Sequence, residues 1–264
     1  MKKTYIFFLG VLVLLGVSSC DNVEEDNRFV EVIPNETNKV ARAVLIEEFT
    51  GQRCVNCPAA HEEMERLQHL YGADSVVAVS IHAGPLAVFS RANVIGLRTE
   101  LGDNYYKYWK VEAAPMGIVN RTGGVTDRFT WAGQVHAELQ KTAALKLSLE
   151  NVYDDVKREV AIKVTAEGLE NVKGKLQLWI VEDGIICTQF MADGKPKPDY
   201  EQNHVLRAAV NGEWGTDFFV NADKTITQSF TMAIDKGWNA EKVSVVAFVY
   251  NDGGVQQVTK KHIK

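Results

Sequence analysis

Glu48-Phe49-Thr50-Gly51-Gln52-Arg53-Cys54-Val55-Asn56-Cys57-Pro58 is the stretch on which the reading of the fold turns. Residues 43–50 ahead of and into it form a β-rich apolar run. Residues 58–71 have a helical period: Ala60, Met64, Leu67 and Leu70 fall on one face, with Glu62, Glu63, Glu65 and Arg66 off it. The two cysteines therefore stand where a strand gives way to a helix. That placement puts Cys54 at the helix N-terminus, where unpaired amides and the helix dipole favour a thiolate. Cys57 falls one turn further in, close enough to close a disulfide. Pro58 does no harm there, because first-turn positions have no internal amide partner to lose.

Working outward, residues 76–82 read as a short buried strand and 116–120 as another, with a helix over 130–142. Between them, residues 84–110 hold one or two helices, one ending in Tyr105, Tyr106, Tyr108 and Trp109. Strands alternating with helices predict an α/β layer structure. After residue 144 the texture changes. Leu145, Leu147 and Leu149 alternate with polar residues, as do Val160, Ile162 and Val164, and Leu176, Leu178 and Ile180. Residues 226–232, 243–250 and 255–259 are further strand candidates, and residues 183–224, rich in Gly, Pro, Asp and Asn, read as a large loop with short elements. The expected fold is α/β plus all-β: an α/β domain over residues 43–143, then an immunoglobulin-like β-sandwich over 144–264.

The N-terminus is an address. Lys2 and Lys3 precede an almost uninterrupted apolar run over residues 5–17, then come Ser18, Ser19 and Cys20. Residues 1–19 read as a signal peptide, too short for a comfortable membrane span. Cleavage before a cysteine resembles the bacterial lipoprotein signal, and an ordinary secretory signal with an incidental cysteine is the alternative. The resemblance implies that Cys20 is lipidated, with palmitate-like acyl chains durable enough to hold the protein on a membrane. Residues 20–42 form a polar tether, acidic at Asp21, Glu24, Glu25 and Asp26. Such a run resembles the surface-export signal of Bacteroidetes lipoproteins, whereas in other bacteria an Asp there favours inner-membrane retention.

Composition narrows the partners. The 264 residues are 46% hydrophobic and 24% charged, an ordinary globular balance. Net charge is −5 with no basic block, which argues against a nucleic-acid partner. Four cysteines are too few for a disulfide scaffold. Cys187, after Ile185-Ile186, reads as a buried free thiol. No cofactor is implied. For Cys54 and Cys57 three uses stand open: a redox pair, a structural disulfide, or a metal site shared with His61. The last lacks a second ligand pair at zinc spacing, so no metal is expected.

At the cysteine pair the chain resembles the thioredoxin superfamily. Glu48 lies six residues before Cys54, where thioredoxins carry a buried carboxylate, and Phe49 follows it as a Phe does there. Ala113-Ala114-Pro115-Met116, directly ahead of a strand, matches the cis-proline turn that faces the pair. The resemblance implies that Cys54 attacks a substrate disulfide, Cys57 resolves the mixed disulfide, Glu48 moves protons and Pro115 holds the substrate backbone. Strand alternation sends Glu47 and Glu48 to opposite faces, so only one can lie beneath the pair. Departures include Arg53 in place of an aromatic, Val55-Asn56 between the cysteines, and a longer path from the pair to the proline.

More narrowly, the mature chain resembles a family of Bacteroidetes outer-membrane lipoproteins of about twenty-eight kilodaltons. The match is carried by Glu47-Glu48-Phe49-Thr50-Gly51, the cysteine motif, and Asn203-His204-Val205-Leu206-Arg207. It implies an outer-membrane location, lipid-anchored and facing the periplasm or the surface. Expected partners are envelope or surface proteins bearing disulfides or thiols. The rival expectations are a non-enzymatic adhesion or binding lipoprotein with a structural disulfide, and a subunit docking a membrane complex through its sandwich.

Overall fold

The computed structural model describes residues 40–264, so the leader, Cys20 and most of the tether lie outside the described residues. Strand β1 (Val44–Thr50) runs into the cysteine turn, and helix α1 (Cys57–Tyr71) leaves it. Strand β2 (Val76–His82) then lies parallel to β1, and β3 (Met116–Val119) antiparallel on its other side. Helices α2 (Glu100–Tyr108) and α3 (Trp131–Leu139) flank β3 in the chain. One α1 face does the packing expected of it: Ala60, Met64 and Leu67 bury against Val44, Ile46, Val76 and Ala78. Gly117 on β3 is needed for this layer, because a Cβ there would sit 2.5 Å from the buried ring of Trp131.

Ten strands follow. They are β4 (Leu145–Asp154), β5 (Glu159–Gly168), β6 (Val172–Glu182), β7 (Ile185–Phe190) and β8 (Pro196–Gln202). Then come β9 (Val205–Ala209), β10 (Thr216–Val220), β11 (Thr225–Ala233), β12 (Val243–Asn251) and β13 (Gly254–His262). The segment expected to be a large loop therefore contains four strands. Its prolines sit on β8, which pairs only with β7, an edge position where a missing amide costs no ladder bond.

Strand β9 joins the two halves of the chain. It pairs antiparallel with β6 and touches β2 in parallel, with the Ser80 amide donating to the His204 carbonyl at 2.8 Å. One sheet thus runs β13-β12-β6-β9-β2-β1-β3, with β10 on β6. It curls on itself: the Val255 amide donates to the Asn120 carbonyl at 2.8 Å, and the Ala43 amide to Gln257 Oε1 at 2.9 Å. Curling explains why β6 and β12 are buried on both faces. Leu176, Leu178 and Ile180 pack with Val243, Val245 and Ala247 against the three-stranded β11-β5-β4 sheet. Trp179, Val181, Val246 and Phe248 face the other way, onto Leu45, Phe49, Val77 and Ile81.

Candidate functional site

Cys54 and Cys57 are joined in a disulfide, with Cα atoms 5.4 Å apart. The helix begins later than the sequence suggests. Cys57 is its first residue and Asn56 its N-cap, whereas Cys54 lies in the preceding turn, its amide donating to the Gly51 carbonyl at 3.0 Å. Pro58 explains the shift: it fits the first turn and so fixes the helix start beside itself. Cys57, not Cys54, therefore occupies the helix N-terminus. Gly51 is required where it stands, because a Cβ would lie 2.5 Å from the Leu86 backbone, which passes directly over the turn.

Glu47 and Glu48 are both fully buried, on opposite faces of β1. Glu47 faces the aromatic side. Arg121 grips it with Nε and Nη2 at 2.7 and 3.1 Å, while the guanidinium lies 4.3 Å from the ring centre of Tyr250 and 4.8 Å from that of Phe248. Burial alone would lower the Arg121 pKa, and the Glu47 carboxylate more than offsets it, leaving it raised. Asn120 and Arg121 both adopt left-handed backbone (φ 50° and 55°), which turns the chain after β3.

Glu48 faces α1 with Thr50, and neither of its carboxylate oxygens accepts a hydrogen bond. His61 Nε2 lies 3.5 Å from its Oε2, one helical turn beyond Cys57. His61 is engaged on both ring nitrogens, by Thr50 Oγ1 at 3.1 Å and by Tyr200 Oη at 3.0 Å. Burial, then Glu65, Glu48 and Glu62, push the Tyr200 phenol up to about 12. On β2, opposite Thr50, His82 is fully buried with no partner on either ring nitrogen. Burial, then His61 and Arg207, hold its pKa down to about 3.

Pro115 follows a cis Ala114–Pro115 peptide and directly precedes Met116, which pairs with Phe49. The register thus sets the proline beside the end of β1 from which the cysteine turn departs. The β7–β8 hairpin lies over the same turn. Gln189 Nε2 donates to the Cys54 carbonyl at 2.8 Å, and the Phe190 amide to the Gln52 carbonyl at 2.8 Å. Gln202 braces Gln189 at 2.9 Å. Cys54 is left 3% exposed and Cys57 wholly buried. Cys187 on β7 is a buried free thiol pushed up to about 11 by burial, against which a Gln52 hydrogen bond works in the other direction. In the aromatic run that ends α2, Tyr105 is buried and its hydroxyl accepts from Trp179 Nε1 at 3.0 Å, while Trp109 is half-buried beside it in the same cluster.

Sequence reasoning brought Cys54, Cys57, Glu48 and Pro115 to one end of β1. It missed Tyr200, Gln189 and Gln202. Tyr200 and Gln202 lie in a polar run over residues 195–204 that gives no local signal, and the partners of Tyr200 and Gln189, His61 and Cys54, stand more than a hundred residues away.

A mixed α/β body with its larger part in strands, and with these features at one end, is characteristic of no single activity. Comparison with known sequences places the chain among outer membrane proteins. It belongs to the Omp28 family ("Outer membrane protein Omp28"), whose profile matches residues 102–264, and the outer membrane is its location. The matched region carries β9 and the hairpin but not the cysteine pair. The chain is similar in fold to HBP35 of Porphyromonas gingivalis, with 14% identity and a TM-score of 0.67 over 86% of this chain and 77% of that one. A domain of the outer membrane lipoprotein Omp28 from Porphyromonas gingivalis is 30% identical over 46% of this chain and 89% of its own, at a TM-score of 0.34. No curated protein matches the chain.

Proposed function

We propose that this outer-membrane protein is a lipoprotein, anchored through Cys20, that exchanges thiols and disulfides with envelope or surface proteins. In this reading residues 43–143 are a thioredoxin-like domain and residues 144–264 an immunoglobulin-like sandwich fused to it by β9. The observation that carries the reading is Glu48: a fully buried carboxylate that accepts no hydrogen bond, on the face of β1 that α1 covers. Burying a carboxylate without donors costs several kcal/mol, and a disulfide serving only as a staple has no use for it. In the dithiol form, the Cys54 thiolate attacks one sulfur of a substrate disulfide, and the other substrate sulfur leaves as a thiolate. Cys57 passes its proton to Glu48 and attacks the Cys54 sulfur. The intramolecular disulfide closes and the second substrate sulfur leaves, so two electrons end on the substrate. From the disulfide form the same steps run backward, with a substrate dithiol as electron donor.

A second reading, a non-enzymatic surface protein stapled by its disulfide, is favoured by the 3% exposure of Cys54 beneath the hairpin. One experiment separates them. Cys57→Ser, expressed in the envelope, is expected to accumulate mixed disulfides resolvable on non-reducing gels, and Cys54→Ser to accumulate none. If Cys57→Ser captures nothing while its thiol at position 54 is reduced and folded, the staple reading stands.

A further inference from the structure

A cleft of about 360 Å³ opens beside the cysteine turn, between the chain around residues 88–95 and the β7–β8 hairpin. That size is at the lower end for ligand pockets. Its floor is preformed. The buried Gln52 side chain donates to the Ile95 carbonyl at 2.8 Å and accepts from the Leu97 amide at 3.0 Å on one wall. It also reaches Cys187 Sγ at 3.4 Å on the other wall. The walls present apolar surface to solvent: Ile95 is 56% exposed and Ile186 51%, with Phe190 beside them.

The charge in this cleft is one-sided. Arg53 and Arg91 line it, and no aspartate or glutamate does. Among the described residues, every other arginine makes an ion pair, a side-chain hydrogen bond or a ring contact, as Arg98 does with Asp103 and Arg207 with Glu182. These two make none. On a chain of net charge −5, two unpaired guanidinium groups over an apolar floor, one of them next to Cys54 in sequence, form a local positive field. Guanidinium forks match carboxylates in geometry, and exposed aliphatic side chains match aliphatic ones.

We propose that this cleft holds an extended segment of a partner protein in which carboxylate side chains alternate with aliphatic ones. The proposal depends on the exchange reading only in making the cleft a substrate subsite, one that selects cysteines flanked by acidic residues. Binding itself stands apart from any sulfur chemistry.

The test is fluorescence anisotropy on the full mature chain with a labelled, amide-capped octapeptide alternating glutamate and valine, against its glutamine counterpart. Binding of the glutamate peptide is expected to be at least about tenfold tighter, and to weaken at least about tenfold in Arg53→Glu with Arg91→Glu, since two rim charges are reversed. It is expected to be unchanged in Lys157→Glu, on the turn joining β4 and β5. Equal affinity for the two peptides, or an equal loss in Lys157→Glu, would overturn the proposal. A third variant replaces Asp21 and Asp26 by Asn, and Glu24 and Glu25 by Gln. Unchanged affinity supports a partner as occupant; severalfold tighter binding would overturn that assignment in favour of the chain's own acidic segment. Because the peptides carry no sulfur, failure of Cys57→Ser to capture partners leaves this result standing, and failure here leaves the exchange reading untouched.

Discussion

Glu47 and Glu48 are adjacent, equally buried and oppositely provided for, so amide substitution should move stability in opposite directions. Glu47→Gln leaves Arg121 buried among rings with its countercharge gone and one of its two clamped oxygens replaced by a donor. Breaking a buried pair from one side costs about 3–5 kcal/mol. Glu48→Gln removes a buried carboxylate that accepts no hydrogen bond and has the His61 ring 3.5 Å away. The relief of several kcal/mol is reduced by about 1–3 kcal/mol for an unpartnered buried amide, leaving a gain of roughly 0–2 kcal/mol. Urea unfolding at pH 7.5 reads both. With a slope of about 2 kcal/mol/M, Glu47→Gln should lower the midpoint by about 1.5–2.5 M and Glu48→Gln should hold it or raise it by up to about 1 M. If Glu48→Gln falls as far as Glu47→Gln, Glu48 is a structural anchor, and the argument for a functional carboxylate fails with it.

His82 gives the fold a pH dependence of known sign. Its folded pKa of about 3 lies below the unfolded value near 6.5, so the unfolded chain binds the extra proton in that window. Stability should fall as pH drops from 6.5 toward 3, by up to a few kcal/mol, and His82→Gln should flatten that part of the profile in urea titrations. Cys187, held near 11 by burial, should resist a thiol-specific aromatic disulfide reagent at pH 7.5 in the folded protein and react at once in denaturant. Gln189→Ala removes the 2.8 Å bond that ties the hairpin to the Cys54 carbonyl, and should speed reduction of the disulfide by dithiothreitol severalfold, measured by thiol release. An unchanged rate would mean that the hairpin does not limit access.

The β1-α1-β2 unit was legible because its signals are local: an apolar run, a 3.6 period, a proline in the first turn and a second apolar run. The later strands β4, β5, β11, β12 and β13 were legible for a similar reason, from alternation and turns. Residues 183–224 were not. Strand β8 is almost wholly exposed and carries Pro196 and Pro198, so it has neither alternation toward a core nor a full set of ladder donors. Strand β9 is five residues long and is a strand only because β2 and β6 lie on either side of it. At the site, the cysteines, Glu48 and Pro115 could be found by spacing. His61 entered only as a conceivable metal ligand, whereas its partner Tyr200 stands 139 residues away and no local pattern links them.

The covering of β1 explains why the cysteine site cannot be considered apart from the second half of the chain. One face of β1 and β2 is closed by α1 and α3, through Ile46, Ala78, Met64 and Val135. The other face, Leu45, Phe49, Val77 and Ile81, is closed by α2 together with Trp179, Phe248, Val255 and Val258, which belong to β6, β12 and β13. Removing residues after 143 would expose that second apolar face, strand Glu47 against an Arg121 stripped of its aromatic rings, and free the edge of β2 that β9 now occupies. The same removal would take away Gln189 and Tyr200, which reach the cysteine turn and His61. Closure of one apolar face of the first half, the hairpin's cover over its disulfide and the second anchor of His61 are thus supplied from beyond residue 143, within the region that the family shares.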